Sequence, residues 1–559
     1  MKVKCFLAFF VCITCLHSIH ATNYVKDGYT NKKSYNPFDT SHVYISATGN
    51  YTAVTLYLYD DTNHKADSIV TNIQPQYILA SNTAPWQNGF QYSVSFNYII
   101  KNTLPSGIYN WEKKIYFIVK SQYKNADITI VYPTNTEAAY DSAGGKCLYN
   151  TASTAHTKAN ILSFLRPLTN SEFTYNRNYT DPFMQWMART HAYNYQVICD
   201  LDLDDTTEFY QSKIVCIAGH SEYWTRDARL NFDNFINTGK DAVILSGNTM
   251  WWQVRYSADK SQMICYKSIA DPISNPLLKT INWPDLSLNY SVLKSIGVDW
   301  KHGAYPPSTL VSYHGMKGFK IVEPSSPLLA GTSLHLYDTL ACPTAEYDGA
   351  VLRTVDAATG IPYIDTTLLG FCKMEMIGFD FGYLDQSSPP AKGYGTFIAF
   401  KKNTTSGNVI NVASSNWCAR FTPSVSIYLG GFGAKDSLKI HQIIKNSFDL
   451  LLAHQNIFAN PANSCMHTTA IEQFRIQNSE FRIYPNPAQN NLTIIMPENS
   501  KATLNGIEIT DVLGQQKSTE FINENGNTIR ISIADYPSGV YYVRIKGQDA
   551  FGLTKFIKE

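Results

Sequence analysis

Apolar and polar residues alternate with period two through residues 43–131, in Val54-Thr-Leu-Tyr-Leu-Tyr, Gln91-Tyr-Ser-Val-Ser-Phe and Lys114-Ile-Tyr-Phe-Ile-Val. That period belongs to strands with one buried face. Turn signals separate the runs; in Leu104-Pro-Ser-Gly-Ile-Tyr, Pro fixes φ and Gly admits a positive φ. The pattern predicts an antiparallel β-sandwich. From Ala126 the pattern changes to short continuous apolar runs: Asp127-Ile-Thr-Ile-Val-Tyr, Tyr195-Gln-Val-Ile-Cys, Lys213-Ile-Val-Cys-Ile-Ala and Asp241-Ala-Val-Ile-Leu-Ser. Strands buried on both faces read this way, as in a parallel sheet. Between the last two, Thr225 is an N-cap candidate, and Ala228, Phe232, Phe235 and Ile236 fall on one helical face. Alternation of strand and helix predicts a three-layer α/β domain with right-handed crossovers.

The two ends of the chain differ from this core. Lys2 and Lys4 precede an apolar run from Cys5 to Leu16, and Ser18-Ile-His-Ala supplies small residues for cleavage. This is the pattern of a secretory signal peptide, and its apolar run is too short for a membrane-spanning helix. No later stretch is long and apolar enough to span, so no transmembrane segment is expected after cleavage. Near the C-terminus, Leu492-Thr-Ile-Ile-Met, Ile507-Glu-Ile-Thr and Val540-Tyr-Tyr-Val-Arg-Ile are short alternating runs broken by Pro, Asn and Gly, which predicts a small β-sandwich. The expected order is a signal peptide at 1–21, the first sandwich at 22–125, the α/β domain at 126–455, a linker at 456–480 and the last sandwich at 481–559. A helix over 437–454 closes the α/β domain.

Lys+Arg 46 against Asp+Glu 45 leaves a net charge of +1, without the basic excess that phosphate binding requires, so nucleic acid is not an expected partner. The 37 Tyr suit a β-rich exported protein and sugar-facing surfaces. Three of the 11 Cys lie in the leader. The other eight form no Cys-x-x-Cys pair, which argues against thiolate zinc, and export permits disulfides. Cys216 and Cys372 lie in apolar runs and are expected to be buried and unpaired.

Sites in open α/β sheets lie beyond the carboxyl ends of the strands. Here one predicted strand runs into Gly219-His-Ser-Glu-Tyr-Trp, and the next into Gly247-Asn-Thr-Met-Trp-Trp-Gln-Val-Arg. His220, Glu222 and Asn248 are the catalytic candidates, as proton carriers or orienting groups. Ser221 lacks the second glycine of a nucleophile elbow. Asp200-Leu-Asp-Leu-Asp-Asp lacks the glycine and distal glutamate of a calcium loop, so it reads as a strand end or helix cap. His302, His314 and His441 form no zinc-binding spacing.

Two resemblances extend this reading. Phe481-Arg-Ile-Tyr-Pro-Asn-Pro-Ala-Gln-Asn-Asn-Leu, Ile509-Thr-Asp-Val-Leu-Gly and Tyr536-Pro-Ser-Gly-Val-Tyr-Tyr-Val-Arg, with Lys555 and Lys558, resemble the C-terminal sorting domain of the type IX secretion system of Bacteroidetes. The resemblance implies export through the periplasm, the secretion machinery as a partner, and a secreted or cell-surface location. Tyr132-Pro-Thr-Asn-Thr-Glu-Ala-Ala-Tyr, Gly144-Gly-Lys-Cys-Leu-Tyr, Gly219-His-Ser-Glu-Tyr-Trp, Gly247-Asn-Thr-Met-Trp-Trp-Gln-Val-Arg and Met263-Ile-Cys-Tyr-Lys together resemble the large (beta) subunit of N,N-dimethylformamidase.

That second resemblance implies a parallel-sheet core of amidotransferase-like or flavodoxin-like kind. It also implies an amidohydrolase whose ferric iron is held by two tyrosines and one glutamate. By motif, Tyr223 corresponds to one tyrosine, Tyr179 (or Tyr175) to the other, and Glu346 to the glutamate. The family carries a histidine two residues before that glutamate, where this chain has Thr344. The expected function is exported metal-dependent hydrolysis of an amide-type C–N bond in a small-molecule, glycan-derived or peptide-derived substrate. The alternative is a secreted binding protein on the same fold, recognising glycans through the tryptophan-rich strand ends.

Overall fold

The computed structural model describes residues 24–168, 177–305, 316–355, 362–364, 369–383, 392–421, 436–459, 482–495, 504–511, 516–517, 521–523, 528–547 and 551–559. The expected signal peptide, Tyr175, His314 and the expected linker beyond residue 459 lie outside them. The chain forms two compact units that divide between Cys465 and Met466.

The first unit begins with two sheets face to face. One holds Val25–Thr30, Thr40–Ala47 and Phe96–Ile99; the other is ordered Ser34–Tyr35, Ile115–Val119, Gly107–Trp111, Tyr51–Tyr59, Lys65–Ile73. All pairings are antiparallel except that of Ser34–Tyr35 with Ile115–Val119, which is parallel. The alternation seen in the sequence sends Val43, Ile45, Leu56 and Leu58 into the shared core. There Trp111 meets Phe96 and Tyr98 edge-on, at 5.2 and 5.1 Å between centroids.

A nine-stranded sheet follows. Five strands are parallel, in the order Tyr195–Cys199, Ile128–Tyr132, Ile214–Gly219, Asp241–Ser246, Asn408–Asn411. Lys392–Lys401, Lys373–Tyr383, Gly318–Ile321 and Thr339–Ala341 continue it antiparallel. The sheet expected to be parallel is therefore mixed. Connection length explains the change: six residues join Lys401 to Asn408, whereas a parallel crossover needs about a dozen or more.

Residues of Ile214–Gly219 divide between the sheet faces with period two. Ile214, Cys216 and Ala218 pack with Phe183 and Met187 of helix Asp181–Thr190 and with Ile440, Ile444 and Phe448 of helix Ser437–Leu452. Val215 and Ile217 pack with Phe232, Phe235 and Ile236 of helix Arg226–Asn237 on the other face. Thr225 caps that helix, its Oγ1 accepting from Ala228 N at 3.0 Å. Cys216 is buried and free, as expected, but Cys372 is disulfide-bonded: an apolar neighbourhood did not keep it unpaired once export made oxidation available.

The second unit consists of two antiparallel sheets, ordered Arg482–Tyr484, Asn491–Ile495, Thr528–Ser532, Phe521–Asn523 and Gln516–Lys517, Leu504–Asp511, Gly539–Gly547, Phe551–Lys558. Leu492, Ile494, Ile529 and Ile531 of one meet Ile509, Val543 and Phe556 of the other in a common core.

Candidate functional site

The ends of three adjacent parallel strands build the site. Strand Ile128–Tyr132 leads into the short helix Thr134–Tyr140, Ile214–Gly219 into His220 to Tyr223, and Asp241–Ser246 into Gly247 to Met250. Two glycines allow the close packing. Gly219 has φ +71°, and a Cβ there would lie 1.9 Å from Thr180 Oγ1. At Gly247 a Cβ would lie 2.4 Å from Ser415 N and 2.9 Å from the Glu346 carbonyl oxygen, so this strand end and the Glu346 segment touch through backbone. The loop is tied down further: Ser221 N donates to Ser246 Oγ at 3.1 Å and Glu222 N to Thr136 Oγ1 at 3.0 Å.

Glu222 is buried and lies at the centre. Tyr140 donates to its Oε2 at 3.0 Å, and Tyr149 lies 3.1 Å from both carboxylate oxygens. The Tyr149 hydroxyl is also 2.7 Å from that of Tyr223, which accepts from Lys267 Nζ at 2.8 Å. Lys267 lies over the rings of Tyr149, Trp252 and Tyr223, at 3.8, 4.9 and 5.2 Å from their centroids. On the other side His220 Nε2 faces Glu222 Oε2 at 3.6 Å and Glu346 Oε2 at 3.0 Å. Despite that proximity, neither His220 Nε2 nor Glu346 Oε2 has an aligned hydrogen-bond partner.

Electrostatics follow from burial and these neighbours. Burial pushes the Tyr140, Tyr149 and Tyr223 phenols well above their usual range, and Glu222 pushes them further. Burial also raises the Glu222 carboxyl, against the opposing pull of Lys267 and His220. For His220, burial pulls the imidazole down, but the nearby charges of Glu346 and then Glu222 outweigh it, and the net shift is upward. Burial holds the Lys267 ammonium below its ordinary value. Asp348, whose Oδ2 accepts from Thr249 N at 3.0 Å, is pushed by burial up to about 7.

The structure thus joins His220 directly to both Glu222 and Glu346. Tyr179 meets the cluster in a ring contact with His220, 5.7 Å between centroids. Tyr223 reaches it through Tyr149. Within the cluster, Tyr140 and Tyr149 meet the Glu222 carboxylate directly. Asn248 is buried nearby with φ +53° and its Oδ1 unpartnered. Sequence reasoning gave no role to Tyr140, Tyr149 or Lys267, although each ends one of the motifs that carried the resemblance.

Several alternatives fall away on contacts. Ser221 Oγ accepts from the Trp224 indole at 3.0 Å, while the His220 ring turns to carboxylates. In the acidic stretch after Cys199, Asp200 accepts from Asn135 N at 2.7 Å, Asp202 from Cys199 N at 2.9 Å and Asp205 from Thr207 N at 2.9 Å, which are capping roles. Among the described residues no three His, Cys, Asp or Glu side chains converge as a metal cluster. The phenol and carboxylate set is instead all hard oxygen, the donor chemistry of a ferric ion, so these residues fit such a group.

Comparison with known proteins gives the site its context. No curated protein matches the chain. Residues 482–559 match the secretion system C-terminal sorting domain, which marks the chain for export to the cell surface or for secretion, and no helix among the described residues is long and apolar enough to cross a membrane. Residues 59–426 contain the first strand ends, the Glu222 cluster and Glu346, and over that span the chain belongs to the N,N-dimethylformamidase beta subunit-like, C-terminal family.

Proposed function

We propose that this exported protein hydrolyses an amide-type C–N bond, with a ferric ion held by Tyr140, Tyr149 and Glu222. The observation that supports this most is the convergence of two phenols on one buried carboxylate beside a histidine. This set departs from Tyr179, Tyr223 and Glu346, which the resemblance implies, but keeps the order of two tyrosines before a glutamate. A histidine two residues before the metal glutamate is missing at Thr344 relative to Glu346, but His220 stands two residues before Glu222. We read the sheet, with helices on both faces, as a three-layer α/β core that presents its strand ends to substrate.

When bound, iron supplies a Lewis acid that polarises the amide carbonyl and brings the pKa of water toward neutrality. The protein's own groups do the rest. His220 Nε2, whose protonated form the charge of Glu346 favours, carries the proton that the departing nitrogen needs as the C–N bond breaks. Glu346 orients that ring and balances its charge. Lys267 holds the Tyr223 hydroxyl, which in turn fixes Tyr149 against Glu222. Asn248 offers its unpartnered Oδ1 to a substrate N–H.

The test is metal content by mass spectrometry on the mature protein, beside Tyr149→Phe and Glu222→Gln. Near-stoichiometric iron, falling below about a fifth in each variant, is expected, along with amine release from simple amides by the wild type. Wild-type protein without iron would favour the non-catalytic binding protein.

A further inference from the structure

A line of aromatic rings leaves the Glu222 cluster toward solvent. Lys267 lies over both Tyr149 and Trp252, Trp251 is 6.0 Å from Trp252, Trp300 is 5.0 Å from Trp251, and Tyr305 is 6.2 Å from Trp300. Trp251, Trp252 and Trp300 are half-buried and Tyr305 is exposed. Two strands from different parts of the chain bring them together, Trp252–Tyr256 and Asp299–Ala304. The rings are joined to the site by backbone, since Trp251 N and Trp252 N both donate to the Glu222 carbonyl, at 2.9 and 3.0 Å.

Polar atoms narrow the choice of occupant. Trp300 Nε1 is an enclosed donor without a partner, and Asn248 Oδ1, three residues before Trp251 in a side chain 4% exposed, is an enclosed acceptor without one. A hydrocarbon chain satisfies neither atom, and an ammonium group satisfies only the acceptor. Hydroxyl groups serve both, being donors and acceptors at once. Flat rings with polar edges suit the apolar faces of a sugar in the same way.

We propose that Trp251, Trp252 and Trp300 form a platform for a carbohydrate chain, and that the bond cleaved beside Glu222 is the N-acyl amide of an aminosugar in it. The proposal rests on the amide-hydrolase reading above. In the reaction the hydroxyl of water joins the acyl carbon, the C–N bond breaks and the nitrogen takes the proton. A carboxylic acid and a free aminosugar leave.

The experiment uses the mature, iron-loaded protein with three probes: a fully N-acetylated glucosamine tetramer, a glucose tetramer and N,N-dimethylformamide. Binding is followed by calorimetry and intrinsic tryptophan emission, and free amine by a fluorogenic reagent. The acetylated tetramer is expected to bind and to release amine faster than N,N-dimethylformamide. Trp300→Ala and Trp251→Ala are each expected to weaken its binding at least tenfold, and Trp300→Phe, which keeps a ring and loses the N–H, by less. Hydrolysis of N,N-dimethylformamide with no binding of the acetylated tetramer overturns the platform and leaves the hydrolase reading standing. Binding that survives both alanine variants also overturns the platform. Tryptophan-dependent binding with no amine from either amide overturns the hydrolase reading, and the N-acyl assignment with it.

Discussion

Gly219 decides where His220 can be. Its positive φ and the 1.9 Å approach of a built Cβ to Thr180 Oγ1 leave room for hydrogen alone. Gly219→Ala is expected to lose about 1–3 kcal/mol of stability, the cost of a strained backbone position. A lower urea midpoint, with iron content reduced because His220 and Glu222 shift, checks this. Asp200 makes a separate prediction. It is 3% exposed, and burial pushes its carboxyl up to about 8, against the pull of the Asn135 backbone N–H. The folded state therefore binds a proton that the unfolded chain releases near pH 4, so the contribution is complete below that pH and is lost as pH rises through about 8. Stability is expected to fall over this window by up to about 1.4 kcal/mol per pH unit for each such group. Asp200→Asn flattens the slope, read from urea midpoints at pH 5 and pH 8; an unchanged slope would contradict it.

Elements were legible where local chemistry fixes them. The four buried parallel strands end within a residue or so of their apolar runs, because a continuous run of branched residues has no other low-energy place than a covered sheet. Helix Arg226–Asn237 begins where Thr225 announces it. Removing that cap, Thr225→Ala, is expected to cost about 1 kcal/mol, measured as a shift in thermal midpoint. Connectivity between distant segments was less legible. The antiparallel arm arises from short returns such as that between Lys401 and Asn408, and no periodicity in the strands themselves reports it. The site shows the same division. The motifs were visible, yet which tyrosines meet a glutamate depends on how the ends of separate strands converge. Tyr140 and Tyr149 lie more than 70 residues before Glu222, and the resemblance, read motif by motif, pointed to Tyr179, Tyr223 and Glu346.

For the whole molecule, the division between Cys465 and Met466 separates address from chemistry. The second unit has its own core and the sorting-domain match, whereas every residue of the Glu222 cluster belongs to the first. Deleting residues 482–559 is expected to abolish arrival at the cell surface or in the medium while leaving iron content and the main unfolding transition of the purified protein unchanged. Cell fractionation and calorimetry test the two halves of that statement, and loss of iron in the truncated chain would show that the units are not independent.

Glu222 is bonded at both ends of its own residue. Its carboxylate receives the two phenols, and its carbonyl receives the amides of Trp251 and Trp252. One residue therefore anchors both the phenols of the cluster and the backbone that carries a pair of indoles. The protein thereby carries its own optical gauge: filling the inner end should alter the colour and brightness of light emitted at the outer end, without any added label.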